Sequence, residues 1–148
     1  LKIGAMLGGA SDEDAQKLYD FGVKIGLAFQ LQDDWLDVYG DPKVFGKNIG
    51  GDILCNKKTY MLITALEEAN EEQRAVLEGW LAAHDYVPAE KIAAVTALYN
   101  EIGVGKRCQE MAEALNAEGF AILDSINLPE ERKAVLKKYA CSMLNRNV

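Results

Sequence analysis

The feature that most constrains this chain is a narrow acidic stripe inside a long helical segment. The stripe consists of Gln30, Asp33, Asp34 and Asp37. At 3.6 residues per turn, these positions fall within about 100° of one another on a helical wheel. The rest of the circumference over residues 25–39 is almost entirely apolar, which is typical of a buried helix. We therefore expect the three carboxylates to face a cavity, where their charge needs a compensating cation.

The spacing of these carboxylates indicates the kind of cation. Asp33, Asp34 and Asp37 supply hard oxygen ligands at positions i, i+1 and i+4, with no His or Cys nearby. This donor set favours magnesium, which is usually held by one or two carboxylates together with substrate phosphates. The sequence therefore predicts these three residues as metal ligands. The alternative is an amphipathic helix with a solvated acidic face, although such faces are usually broader and of mixed charge.

A glycine-rich segment follows the acidic stripe. Residues 40–51 contain four glycines, one proline and Lys47, so a loop here can bring a cation over the stripe. We expect the next helix to begin near Asn56 as its N-cap, which would put Lys57 in the first turn. A lysine there opposes the helix dipole, and a phosphate site would explain it because phosphate favours both exposed amides and an ammonium group. Taken singly, however, most lysines are simply solvated.

These features stand in a longer pattern. Residues 26–40 read GLAFQLQDDWLDVYG, and Gly-Lys, Gly-Gly-Asp-Ile and Lys-Lys-Thr follow at residues 46–47, 50–53 and 57–59. The pattern closely resembles the second aspartate-rich region of trans-type polyprenyl diphosphate synthases, a family that includes farnesyl and geranylgeranyl diphosphate synthases. The family's first aspartate-rich motif, its upstream Gly-Lys and arginines, and a Lys-Thr pair would all precede Leu1. We therefore interpret residues 1–148 as the C-terminal part of a single synthase domain, and expect this part alone to be inactive.

The resemblance implies a prenyltransferase of isoprenoid biosynthesis with magnesium as cofactor. In such a reaction an allylic diphosphate ionises, isopentenyl diphosphate attacks the carbocation, and the released diphosphate helps to remove a proton. By resemblance, Asp33 would be the most direct metal ligand. Asp34 and Asp37 would hold the hydrated ion directly or through water.

The resemblance also assigns the groups that contact substrate. Lys47 and Lys57 would bind the allylic diphosphate. Gln30 would offer its amide to the diphosphate or to a metal-bound water, and Phe29 would line the reacting centre. Lys47 and Gln30 are therefore the predicted catalytic residues beside the metal ligands.

The remainder of the chain predicts further helices. Apolar residues repeat at helical spacing over residues 12–39 and 71–83, and two later helices open at Pro88 and Pro129. No period-two strand pattern occurs in the sequence. We predict an all-α fold, which by resemblance is the C-terminal part of an isoprenoid-synthase-type helical bundle.

Composition limits the partners. A net charge of −7 without a basic stripe argues against nucleic acid, and no apolar run approaches the roughly 18 residues needed to span a bilayer. Cys55, Cys108 and Cys141 lack metal or redox spacing, so we expect free thiols in a reducing cytoplasm. The resemblance adds the expectation of a homodimer.

Three other functions are compatible with the pattern. A terpene cyclase would share the fold, but cyclases usually carry a hydroxyl-containing metal motif in place of this all-carboxylate one. A non-catalytic regulatory subunit related to prenyl synthases is a second alternative, against which the intact acids and lysines argue. The third is a helical binding module with an acidic groove.

Overall fold

The computed structural model describes residues 1–41 and 49–144, which are mainly helical. No strand occurs in these residues, so the predicted all-α fold class is confirmed. None of the helices described is both long and apolar enough to cross a membrane. In chain order the helices are α1 (Lys2–Leu7), α2 (Asp12–Tyr39), α3 (Gly51–Leu54), α4 (Tyr60–Glu68), α5 (Glu71–Ala82), α6 (Pro88–Ile102), α7 (Val104–Asp124) and α8 (Glu130–Leu144).

Helix α2 carries the acidic stripe and has the predicted bounds. At its start, the Ser11 hydroxyl accepts a hydrogen bond of 3.1 Å from the Asp14 backbone N–H. Three acidic residues, 12–14, occupy the first turn, where they interact favourably with the helix dipole. The local sequence thus sets the beginning of α2 at Asp12, 18 residues before Gln30, the first residue of the stripe.

The expected helix start at Asn56 is wrong. Helix α4 is capped by Thr59, which has an extended backbone. The Thr59 side-chain hydroxyl accepts a hydrogen bond of 3.2 Å from the Leu62 backbone N–H. Asn56 instead adopts a left-handed conformation with φ of 52°. Lys57 therefore lies in a turn before α4 and not in its first turn. The unfavourable interaction with the helix dipole that was expected there does not arise.

The later helices follow the predicted pattern closely. Helix α5 begins with a capping box in which the side chains of Asn70 and Gln73 each accept a hydrogen bond from the other's backbone N–H. Helix α6 begins at Pro88 and ends at Ile102. Gly103 caps it with a left-handed backbone, φ of 84°, which glycine adopts readily. Helix α8 begins directly after Pro129.

The described residues form two compact units with separate cores. The first unit comprises Leu1–Gln30 and Met111–Val148. Its buried side chains are Leu18, Phe21, Ile25, Leu123, Ile126 and Ala140. Phe21 also meets Phe120 with ring centroids 6.3 Å apart. This unit contains the first two-thirds of α2 but none of its three acidic site candidates.

The second unit, Leu31–Glu110, contains the acidic end of α2. Its core includes Val38 from α2, Ile53 from α3, Met61 from α4, Leu77 from α5 and Val95 from α6. Helix α6 packs against α3, α4 and α5. It therefore supports the short helix and the turn that follow the acidic stripe.

The expectation that α2 is buried around most of its circumference is only partly correct. Ala28 and Leu36 are fully or almost fully buried. Val23 and Leu27 are 39% and 50% exposed, because nothing in the described part of the chain covers that side of the helix. An apolar side chain on a helix indicates a contact surface, but the sequence alone does not say what fills it.

Leu77 provides a test of the second core. Its side chain is completely buried, whereas the adjacent Val76 on the same helix is 50% exposed. We expect Leu77→Ala to lower the free energy of unfolding by about 2–5 kcal/mol, because it leaves a cavity. Val76→Ala should change it by less than about 0.5 kcal/mol. Chemical denaturation of both variants measures the difference, and equal losses would contradict the assigned core.

Candidate active site

The centre of the site is an ammonium group shared by two carboxylates. Lys57 Nζ donates to Asp34 Oδ1 and to Asp52 Oδ2, both at 2.8 Å. The Asp34 side chain is only 7% exposed, while that of Lys57 is 44% exposed. A nearly buried carboxylate is costly without a cation, so Lys57 provides the compensation that Asp34 requires.

Asp37 holds the turn that brings Asp52 to this site. The Gly50 backbone N–H donates to the Asp37 carbonyl oxygen at 2.6 Å, and the Asp52 backbone N–H donates to Asp37 Oδ2 at 2.8 Å. Gly50 has a φ of 86°, and a Cβ atom there would lie 2.6 Å from the Ile92 side chain. Only glycine therefore fits both the conformation and the space at residue 50.

The electrostatics of the site distinguish Asp37 from Lys57. Burial is the main cause that raises the pKa of Asp37, and the carboxylates of Asp52 and Asp33 raise it further. The hydrogen bond from the Asp52 backbone N–H and the charge of Lys57 lower this pKa, but by less. The hydrogen bonds to Asp34 and Asp52 raise the pKa of Lys57 above its ordinary value. Lys57 is therefore charged at neutral pH, whereas the negative charge of Asp37 is less favourable in the folded protein than in water.

The structure brings some of the predicted site residues together. Asp34, Asp37 and Lys57 are joined through Asp52, as described above. Asp33 lies one turn before Asp37 on α2 and is half-buried. Its role as the most direct metal ligand stays a prediction.

Three further predicted residues do not take part in the contacts described above. Phe29 is half-buried and Gln30 is exposed, and both belong to the first compact unit although they stand on α2. Lys47 lies outside the described residues. The roles assigned to these three residues by resemblance therefore stay predictions.

Asp52 is the site residue that sequence reasoning missed. It stands five residues before Lys57, in the Gly-Gly-Asp-Ile segment, which is part of the family pattern but to which the sequence predictions assign no site residue. The available signal was the acid within the first turn of α3, next to two glycines. A carboxylate at a helix N-terminus is commonplace, so its pairing with a lysine across a turn follows only from the tertiary structure.

The donor set fits magnesium in chemical type. Asp33, Asp34 and Asp37 offer carboxylate oxygens, and magnesium commonly uses one or two of these with phosphate and water completing its shell. Among residues 1–41 and 49–144, no three His, Cys, Asp or Glu side chains are grouped closely enough to hold a metal ion by themselves.

Most of the chain matches the model of a known protein family. The polyprenyl synthetase family model matches residues 1–102, so the chain belongs to that family. A short chain isoprenyl diphosphate synthase of Methanothermobacter thermautotrophicus is 34% identical over 137 residues, which are 93% of this chain and 38% of that protein. The chain thus spans well under half the length of this relative.

Solved structures give the same result for the fold. A geranylgeranyl pyrophosphate synthase matches with a TM-score of 0.87 and 30% identity, over 99% of this chain and 46% of that one. Another, from Corynebacterium glutamicum and solved with isoprenyl diphosphate and magnesium, matches with a TM-score of 0.83 and 32% identity, over 97% and 40% of the two chains. The predicted isoprenoid-synthase-type helical fold is confirmed.

The raised pKa of Asp37 predicts a pH-dependent stability. A carboxyl group with a raised native pKa binds protons more readily in the folded state, so stability falls as pH rises from the ordinary value of 3.8 through the native pKa. We expect Asp37→Asn to remove this loss and therefore to raise the free energy of unfolding at pH 7.

Urea denaturation between pH 3 and pH 7 in EDTA measures this effect. The exposed Asp85 gives a matched control, since Asp85→Asn changes the net charge equally. The gain from Asp37→Asn should grow across the acidic range and then level off. A gain that is independent of pH, or equal in both variants, would contradict the burial of the Asp37 charge.

Proposed function

We propose that the full-length protein is a prenyltransferase that condenses an allylic diphosphate with isopentenyl diphosphate. The observation that carries the proposal is the Lys57 ammonium group, which bridges Asp34 and Asp52 next to Asp37. The Lys57 cation thus lies among carboxylates, two of which, Asp34 and Asp37, are proposed metal ligands. Membership of the polyprenyl synthetase family supports the same reaction class.

Lys57 is the residue best placed to bind the diphosphate. An ammonium group has three N–H donors, and Asp34 and Asp52 use two of them in the described structure. The third donor remains for a diphosphate oxygen. The two carboxylates fix the position of Nζ in advance, so little rearrangement is needed when negative charge develops on the leaving group.

The acidic stripe complements this lysine. Asp33, Asp34 and Asp37 are the residues that would hold magnesium, as their hard oxygen donors suit that ion. When bound, magnesium would supply positive charge that stabilises the diphosphate as its bond to carbon breaks. Asp37 has a second function in this proposal, because its carboxylate also anchors the turn before Asp52.

The finer assignments rest on the resemblance. Lys47 would add a second cation to the allylic diphosphate, and Gln30 would donate its amide to the diphosphate or to a metal-bound water. Phe29 would line the reacting centre. We further propose a homodimeric protein in the cytoplasm, with isopentenyl diphosphate as the second substrate.

Replacement of Asp33 tests the proposed reaction. We expect Asp33→Ala in the full-length protein to lower the rate of magnesium-dependent condensation at least about a hundredfold, because charge stabilisation at the diphosphate is lost. The helix content measured by circular dichroism should be nearly unchanged, since alanine favours a helix. Radiolabelled isopentenyl diphosphate with an allylic co-substrate measures the rate.

Asp20→Ala is the matched control. Asp20 also lies on α2 but accepts a hydrogen bond from Gln16, well before the stripe. We expect this variant to retain near-normal turnover. Normal turnover of Asp33→Ala would overturn the role of the stripe, and absence of condensation in the unaltered full-length protein would overturn the proposed reaction itself.

A further inference from the structure

We propose that Lys91 is a positioning residue, which holds the turn before Lys57 through a partly buried hydrogen bond to Asn56. The ammonium group of Lys91 donates to Asn56 Oδ1 at 2.7 Å. Asn56 directly precedes Lys57, whose side chain bridges Asp34 and Asp52. The effect of Lys91 on catalysis rests on the proposed function, whereas its effect on the placement of Lys57 does not.

The turn that Lys91 supports has an unfavourable backbone conformation. Asn56 has a φ of 52°, and it is the one non-glycine residue with a positive φ in the part of the chain described. Such a conformation persists only where the surroundings hold it, although asparagine tolerates it better than most residues. The Asn56 side chain is held from two sides, because its Nδ2 also donates to the Leu81 carbonyl oxygen at 2.9 Å.

Lys91 is an unusual residue to find in this place. It is 1% exposed on helix α6, at the edge of the second core. Its ammonium group donates to the Asn56 amide oxygen and lies over the Tyr86 ring, 4.5 Å from the ring centroid. Within residues 1–41 and 49–144 it has no carboxylate partner. A buried charge without an ion pair destabilises the folded protein. We therefore explain the buried position of Lys91 by the turn that it holds and not by a gain in stability.

The same group of residues holds the turn at a second point. The Tyr86 hydroxyl donates to the Leu54 carbonyl oxygen at 3.4 Å, two residues before Asn56. The Lys57 backbone N–H donates to the Asp52 carbonyl oxygen at 2.9 Å. The backbone is thus tied on both sides of Asn56, and the direction in which Lys57 leaves the turn depends on Asn56 keeping its left-handed conformation.

The surroundings leave little room for another arrangement. Asp52, Asn56, Lys57 and Lys91 all line one cavity of about 10 Å³. That space is about the size of one water molecule, so it cannot hold the diphosphate. Lys91 therefore acts behind Lys57, through the turn, and does not itself contact the substrate.

The predicted consequence of losing the Lys91 ammonium group is a displaced Lys57. Lys91→Met keeps the length and the apolar stem of the side chain but removes the donor to Asn56. The turn should relax towards a right-handed conformation, and the ion pairs of Lys57 with Asp34 and Asp52 should weaken. Because a displacement of about 1 Å can lower a rate by about a hundredfold, a small shift here is sufficient to affect substrate binding.

Chemical labelling of Lys57 measures this displacement without substrate. We expect Lys91→Met in the full-length protein to raise the rate of reductive methylation of Lys57 severalfold, read by mass spectrometry against the exposed neighbour Lys58. In a condensation assay the KM for the allylic diphosphate should rise about tenfold, more than kcat falls. A variant that merely unfolds in part would lower kcat with KM unchanged.

Lys133→Met is the matched control. Lys133 is also a buried lysine, with a side chain 6% exposed, and it donates to the Asp124 carbonyl oxygen at 2.9 Å and to Glu130 at 3.1 Å. It belongs to the first compact unit, whereas the Lys57 turn belongs to the second. We expect Lys133→Met to lower the melting temperature while leaving the Lys57-to-Lys58 labelling ratio and KM unchanged.

A second substitution distinguishes positioning from general support. Glycine adopts a positive φ without strain, so Asn56→Gly added to Lys91→Met should recover part of the lost labelling protection and of the raised KM. An unchanged labelling ratio in Lys91→Met, or a change equal to that of Lys133→Met, would overturn the positioning role. Absence of condensation in the unaltered protein would count against the proposed reaction, while the labelling ratio would still decide the role of Lys91.

Discussion

The site depends on the ion pair between Lys57 and the nearly buried Asp34. A carboxylate with so little access to water needs a cation, and the chain supplies one from a turn 23 residues further along. That requirement determines where the turn after the acidic stripe must lie. Asp37 fixes the start of the turn through the Gly50 and Asp52 backbone N–H groups, and Lys91 supports its end through Asn56.

Several features of this arrangement lower the stability of the folded protein while they hold charged groups in position. Burial raises the pKa of Asp37, and the carboxylates of Asp52 and Asp33 add repulsion. Asn56 holds a positive φ and Lys91 is buried without a carboxylate in the described residues. Proteins commonly accept such costs at functional sites, where groups must be held in position before the ligand arrives. Here they surround Lys57, which uses two of its three N–H donors on Asp34 and Asp52.

Much of this could be predicted from the sequence, because its signals are local. The bounds of α2 follow from a Ser11 cap at one end and Gly40-Asp41-Pro42 at the other, and Pro88 and Pro129 mark later helix starts. The wrong start at Asn56 has a physical reason: asparagine is a good N-cap, and only its contacts with Lys91 and Leu81 show that it is used in a left-handed turn instead. The pairing of Asp52 with Lys57 was missed for the same reason, since both contacts depend on how α3 and α6 pack.

We expect the Lys57 cluster to bind diphosphate with the help of magnesium. Isothermal titration of inorganic pyrophosphate into the full-length protein, once with magnesium and once with EDTA, measures this binding. Three carboxylates repel a diphosphate unless a metal ion lies between them, so we expect saturable binding with magnesium and at least about tenfold weaker binding in EDTA. Equal affinity under both conditions would contradict the account, because Lys57 alone would then explain the binding and the acidic stripe would have no part in it.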